Sequence, residues 1–167
     1  MGTSQRAARF RFLYRESEGV LGAREWALAS VLPVGIALVL TIVAFAIAPD
    51  APRDLAREPF VDPLVIARNA YFIVYAFALI FCAVAEYFVC AKRFADRGEP
   101  PALAGLAPLM IFVAGAAHWW TPRSEGLAPA ALPYVCDALA LVVVAWTIVD
   151  LGLGPSRPQW RRPREPS

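Results

Sequence analysis

The chain has 167 residues, of which 59% are hydrophobic and only 18% charged, with a formal net charge of +2 and a mean hydropathy of +0.51. A soluble domain usually carries about 25% charged residues, so this composition argues against a soluble globular protein, and so small a net charge argues against a nucleic-acid partner. The charges gather at the two ends and in short loops, leaving four apolar runs nearly bare, the pattern of an integral membrane protein.

Residues 1–25 form a basic tail with Arg6, Arg9, Arg11, Arg15 and Arg24, interleaved with Phe10, Phe12, Leu13 and Tyr14. Such a stretch either lies along the membrane surface, rings in the headgroup layer and guanidiniums near phosphates, or remains a loose tail that only sets topology. The first apolar run, residues 26–48, exceeds the roughly 7–15 residues of a signal-peptide core, and Pro49 follows Ala46 and Ala48 directly, so a retained first span is expected. At about 1.5 Å per residue the run crosses a ~30 Å hydrocarbon layer. Pro33 in its first third predicts a kink that neighbouring spans accommodate.

Residues 49–63 carry four prolines and six charges, the mark of a water-exposed connection. Asp54 and Glu58 are four apart, as are Arg53 and Arg57, which permits one helical turn. The second span is expected over residues 64–91, carrying Arg68, Asn69 and Glu86, with Tyr71 and with Tyr87 and Phe88 in the two interfacial belts. A charged loop follows over residues 92–100. Gly98, Pro100 and Pro101 end one helix and start the next. The third span is expected over residues 102–120, with Pro108 as another kink and His118 as an interfacial anchor beside Trp119 and Trp120. The fourth is expected over residues 130–151, carrying Cys136, Asp137 and Asp150. A Pro/Arg-rich tail, residues 152–167, closes the chain. The three cysteines, Cys82, Cys90 and Cys136, lie inside apolar runs without paired spacing and read as buried thiols.

Four spans place both tails and the 92–100 loop on one side. That side holds twelve of the sixteen basic residues, so both termini are expected in the cytoplasm. The fold class is therefore all-α: an integral bundle of four transmembrane helices with both termini cytoplasmic.

Three short motifs carry a family resemblance. Lys92-Arg93-Phe94-Ala95-Asp96-Arg97-Gly98 stands between spans two and three, Gly19 through Ala27 enters span one, and Gly154-Pro155-Ser156-Arg157 follows span four. The chain resembles the bacterial domain of unknown function 805 family, small four-span inner-membrane proteins. That family has Arg-Arg-Leu-His-Asp-x-Gly, Gly-Arg-x-Ser-Arg-x-Glu-Phe-Trp and Gly-Pro-Asn-Arg at the corresponding places. Gly19, Glu25 and an aromatic at Trp26 are kept, while Ala95 replaces the histidine and Val20 and Ala23 replace basic positions. The resemblance implies a bacterial inner-membrane location and no particular reaction.

Two groups of polar residues stand out. Lys92, Arg93, Asp96 and Arg97 read as a basic loop for a lipid phosphate or a partner's acidic segment. Within it, Arg93 and Asp96 either pair locally or reach Glu25 and Arg24, or Asp150. Arg68, Asn69, Glu86, Asp137 and Asp150 read as an intramembrane polar cluster, since a charge in lipid costs on the order of 2.5–3.5 kcal/mol and seeks a partner inside the bundle. Arg68 and Asp137 lie at similar depth and are expected to pair or to share a cavity with Asn69. Cys82, Glu86 and Cys90 share one helical face, but the two thiols are about 12 Å apart along the axis. That face therefore predicts helix contact and not a metal site. Glu86 is expected to meet Lys92, Arg93 or Asp150. Neither Ser30 nor Ser124 has a positioned base, and the P-loop and GxGxxG patterns are absent, so no enzymatic activity, cofactor or metal is expected. The expected role is structural or accessory, with the bilayer, anionic headgroups and a membrane-protein companion or second copy as partners. The alternative is a small transporter or channel component that uses the intramembrane charges.

Overall fold

The computed structural model describes residues 3–47 and 62–156. Every regular element among them is helical: α1 (Thr3–Arg15), α2 (Ala23–Ile47), α3 (Pro63–Arg97), α4 (Leu106–Trp120) and α5 (Leu132–Leu153), with single 3₁₀ turns over Pro101–Gly105 and Thr121–Arg123. Four runs, Ala23–Ile47, Pro63–Arg97, Pro101–Arg123 and Leu132–Leu153, are long and apolar enough to cross a membrane. The fold is that of an all-α, multi-pass membrane protein. The connection over residues 49–63, with its possible helical turn at Asp54 and Glu58, lies almost wholly outside the described residues, as does the tail beyond Ser156.

Span two departs from expectation. The charged stretch that reads as a loop is helical through Arg97. Its 35 residues give α3 a length of about 52 Å, well beyond the ~30 Å hydrocarbon layer. The two ends are built by strong local signals. Asp62 caps the first turn, its carboxylate accepting from the Leu64 amide at 2.8 Å, and Pro63 occupies the first helical position, where a missing N–H costs nothing. At the other end Gly98 adopts φ 76°. Its amide donates to the Ala95 carbonyl, and the Glu99 amide to the Phe94 carbonyl, a Schellman closure that requires the left-handed conformation. The proline expected to kink span three also finds a local place. Pro108 lies in the first turn of α4, where it interrupts no helical hydrogen bond.

The helices pack as two antiparallel hairpins. Along α2 and α3, Trp26 meets Cys90 (3.4 Å), Ser30 meets Glu86 (2.8 Å) and Thr41 meets Tyr75 (3.0 Å), all in one register. The Tyr71 hydroxyl donates to the Leu40 carbonyl at 2.7 Å. Along α4 and α5 the buried contacts are small: Ala114, Ala117, Cys136 and Ala140, with Met110 and Leu132 beside them. Small side chains let membrane helices approach closely, where there is no hydrophobic driving force between them.

The larger core lies at one end, called here the proximal end, where α1, the α3–α4 connection and the last turns of α5 meet. It contains Leu21, Trp26, Ala29, Val89, Cys90, Ala91, Phe94, Ala104 and Leu151, with Phe12, Leu13, Tyr14, Tyr87 and Leu103 packed against it. The two hairpins join here: the Phe94 and Trp146 rings lie 6.1 Å apart, and Trp26 lies against Gly152. Residues 1–25 are thus more than a loose tail, since α1 docks its last turn into this core.

The cap at Gly98 sets the length of α3. Gly98→Ala forces a Cβ into the left-handed region and is expected to destabilise the fold by roughly 1–2 kcal/mol. Gly115→Ala, in open space on α4, is expected to be neutral or to stabilise by up to about 1 kcal/mol. Unfolding midpoints in a sodium dodecyl sulfate titration from a mild detergent measure both.

Candidate functional site

Three helix C-termini, those of α1, α3 and α5, converge at the proximal end. Each helix leaves its last carbonyls without intrahelical donors and carries a partial negative charge there. The cations of α3 fill that need for α1 and α5, while the Gly98 and Glu99 amides close α3 itself. Lys92 is fully buried. Its ammonium donates to the carbonyls of Leu13 (3.2 Å) and Glu16 at the end of α1, and to Phe88 (3.3 Å) on its own helix. The Phe12 ring covers it, with the centroid 5.1 Å from Nζ. Gly19, at φ 107°, lets the following chain pass over that same ring, where a Cβ would collide. The chain then donates the Leu21 amide to the Lys92 carbonyl at 3.4 Å.

Arg93, only 1% exposed, serves α5. Its Nε donates to the Leu151 carbonyl (2.9 Å), Nη2 to the Gly154 carbonyl (2.5 Å), and Nη1 to Ser156 Oγ (2.9 Å) and Asp96 Oδ2 (2.5 Å). One planar guanidinium thus joins the α5 terminus to α3, a task that an ammonium cannot copy. Arg97 completes the group. It meets Asp150 through both the backbone carbonyl and the carboxylate, the latter at 2.5 Å, and Glu99 at 2.8 Å. Gly154 lies so close to the Arg97 guanidinium that a Cβ there would overlap it.

The exposed basic loop expected from the sequence is therefore corrected. Lys92, Arg93 and Asp96 are buried and helical, and their charges are directed inward. Arg93 and Asp96 do pair locally, and it is Arg97 that meets Asp150.

The intramembrane polar cluster is also corrected, since its members lie in separate places. Glu86 sits between the hairpin helices, with Oε1 accepting from Ser30 Oγ (2.8 Å) and from Cys90 Sγ (3.2 Å), and meets none of Lys92, Arg93 or Asp150. Its Oε2 is buried with no hydrogen-bond partner. Asp137 pairs with His118 across the second hairpin at 2.8 Å, half-exposed, and not with Arg68. Arg68 lines a shallow apolar recess with Ile47, Leu64, Ala67 and Tyr71 at the distal end, and Asn69 is exposed. Arg68 and Asp137 belong to different hairpins and do not share a depth: measured from the Arg97–Asp150 pair, Arg68 lies about 43 Å back along α3 and Asp137 about 20 Å back along α5.

Sequence reasoning passed over Tyr14, Trp26, Ser30, Gly154 and Ser156 as members of the site. One signal was available. Trp26 and Ser30 are four apart, as are Glu86 and Cys90, so an antiparallel hairpin brings the two pairs together. Tyr14 donates its hydroxyl to the Ala29 carbonyl at 2.8 Å. Burial, and secondarily the Glu86 carboxylate, raise its pKa above the usual phenol range, so it remains a donor at neutral pH. Among the described residues no group of three or more His, Cys, Asp or Glu is placed to hold a metal ion.

Arg93→Met leaves the Leu151 and Gly154 carbonyls and the Asp96 carboxylate without their guanidinium and is expected to cost about 3–5 kcal/mol. Arg93→Lys keeps the charge but loses the fork, and is expected to fall between wild type and Arg93→Met. The same detergent titration ranks the three proteins.

No family model matches the chain, and neither curated proteins nor solved structures give a match.

Proposed function

We propose that this chain is a structural or accessory protein of a bacterial inner membrane, with the proximal end in the cytoplasm. The observation that carries this reading is the inward use of its charge. Lys92, Arg93 and Arg97 fasten α1 and the α5 terminus to one rigid span end, a platform suited to holding a companion rather than to turning over a substrate. The cytoplasmic placement is supported by the excess of basic residues on that side.

The proposal includes membership of the domain of unknown function 805 family. Its support is spatial. The three motifs of the resemblance are far apart in sequence, yet they meet at one place. Gly19 and Leu21 lie against Phe12 and Lys92, Trp26 meets Cys90 within a turn of the 92–98 motif, and Gly154 and Ser156 bind Arg93. Motifs that build a single contact are the ones a shared fold would retain.

A second reading rests on Glu86. An intramembrane carboxylate with one oxygen partnered and the other buried without a hydrogen-bond partner is a feature of proton and cation paths. Under this reading the protein is a small transport component, alone or as an oligomer.

The two readings make different predictions. A phosphatase fused after Ser167 is expected to be inactive, and one inserted at Gly126 active, which tests orientation. Purification of the tagged protein in a gentle detergent is expected to recover one companion in fixed proportion, lost in Arg93→Met. Recovery of the protein alone or self-associated, in both samples, would sink the accessory reading. Proton or cation flux in proteoliposomes that disappears in Glu86→Gln would establish the transport reading instead.

A further inference from the structure

Helix α1 is basic beyond what the buried cluster uses. Thr3–Arg15 contains Arg6, Arg9, Arg11 and Arg15 and no acidic residue. Arg11 pairs with Glu16 at 3.1 Å. Residues 3–11 are all exposed. The helix is nevertheless fixed to the spans at its last turn. Lys92 holds the Leu13 and Glu16 carbonyls, and Tyr14 bonds the Ala29 carbonyl. Ala29 lies six residues into α2, about 9 Å along its axis. The last turn of α1 therefore runs beside the first turns of a spanning helix, where the chain enters the membrane.

One turn back, the Phe10 ring packs on the Tyr14 ring with centroids 5.0 Å apart, yet remains 53% exposed. At about 100° per residue, Arg6, Arg9 and Phe10 share one side of the exposed first turns, while Leu13, further along that side, packs against the proximal core. An exposed aromatic ring flanked by two guanidiniums, held at the level of the span ends, has the chemistry of the headgroup region: the ring enters the apolar boundary and the guanidiniums meet phosphates.

We infer that this side of α1 binds the anionic phospholipid headgroups of the bilayer that the spans cross. An acidic protein segment would satisfy the arginines, but it would have no need of an exposed ring at the membrane boundary. The inference uses the membrane character of the fold and the docking of α1. It holds whether or not the protein has a companion.

The test uses the full chain in nanodiscs of phosphatidylcholine alone or with phosphatidylglycerol, read by hydrogen–deuterium exchange of the α1 amides. Exchange over residues 3–12 is expected to slow by about 10- to 30-fold in the anionic discs, since each arginine near an anionic surface contributes several-fold. The protection is expected to vanish in Arg6→Glu/Arg9→Glu and in high salt. Both arginines are exposed, so the unfolding midpoint of the variant serves as the folding control and is expected to match wild type. Equal exchange in the two discs overturns the inference. So does protection that survives the charge reversal, or protection that arises only when a copurified companion is added to the discs, which would assign the surface to an acidic protein.

Discussion

The structure depends on the meeting of the α1 and α5 C-termini with three cations on the last turns of α3. Helices α1, α3 and α5 all end at the proximal side, each with carbonyls that point past its last turn. Without donors these ends would repel one another and leave polar groups stranded beside an apolar core. Lys92, Arg93 and Arg97 project from the last turns of α3 and supply donors to the ends of α1 and α5, while the Gly98 and Glu99 amides close α3 itself. A lysine on this spot can satisfy several carbonyls of one helix end. An arginine can reach two elements in one plane. The order Lys92-Arg93 matches the order of need, with α1 on one side of α3 and the α5 terminus on the other.

This arrangement also explains why the fold is tight at one end. Each hairpin is held by its own pairings along its length, the first by polar side chains at matched register and the second by small apolar ones. Between the hairpins, the ion pair, the hydrogen bonds from Arg93 and the tilted Phe94–Trp146 ring pair all fall within the last turns of α3 and α5. The long apolar faces beyond are left to lipid, which is as apolar as the side chains and gives the helices no reason to close further.

The spans were legible in the sequence because hydropathy is a local property. The runs 26–48, 102–120 and 130–151 fall within a few residues of α2, of the run through α4 and of α5. The 92–98 segment was misread for the same reason. Its charges interrupt a hydropathy pattern, and charge without a visible partner reads as a solvated loop. The main partners are backbone carbonyls 53 to 79 residues away, and a carbonyl has no sequence signature. Arg68 and Asp137 lie equally far from the starts of their helices, but α3 has 35 residues and α5 has 22, and the two helices are level at their ends, where Arg97 meets Asp150, so equal counts from the starts give unequal heights. His118 and Asp137 flank a short connection, and that proximity was the better guide.

The same basic residues carry two kinds of information. During insertion, lysines and arginines that stay on one side set the orientation of the spans. In the folded chain Lys92 and Arg93 are withdrawn from solvent, and the partly buried Arg97 joins them in tying the proximal end together. The two uses do not conflict, because insertion reads the charge before the helix ends have met, and folding uses it afterwards. A charge retained only for topology could be moved along the loop at little cost. Lys92, Arg93 and Arg97 cannot be moved, since each is fixed by the position of particular carbonyls. The arginines of α1, which face outward, are under no such constraint from the fold. Their number and spacing are therefore free to be set by what lies outside the protein.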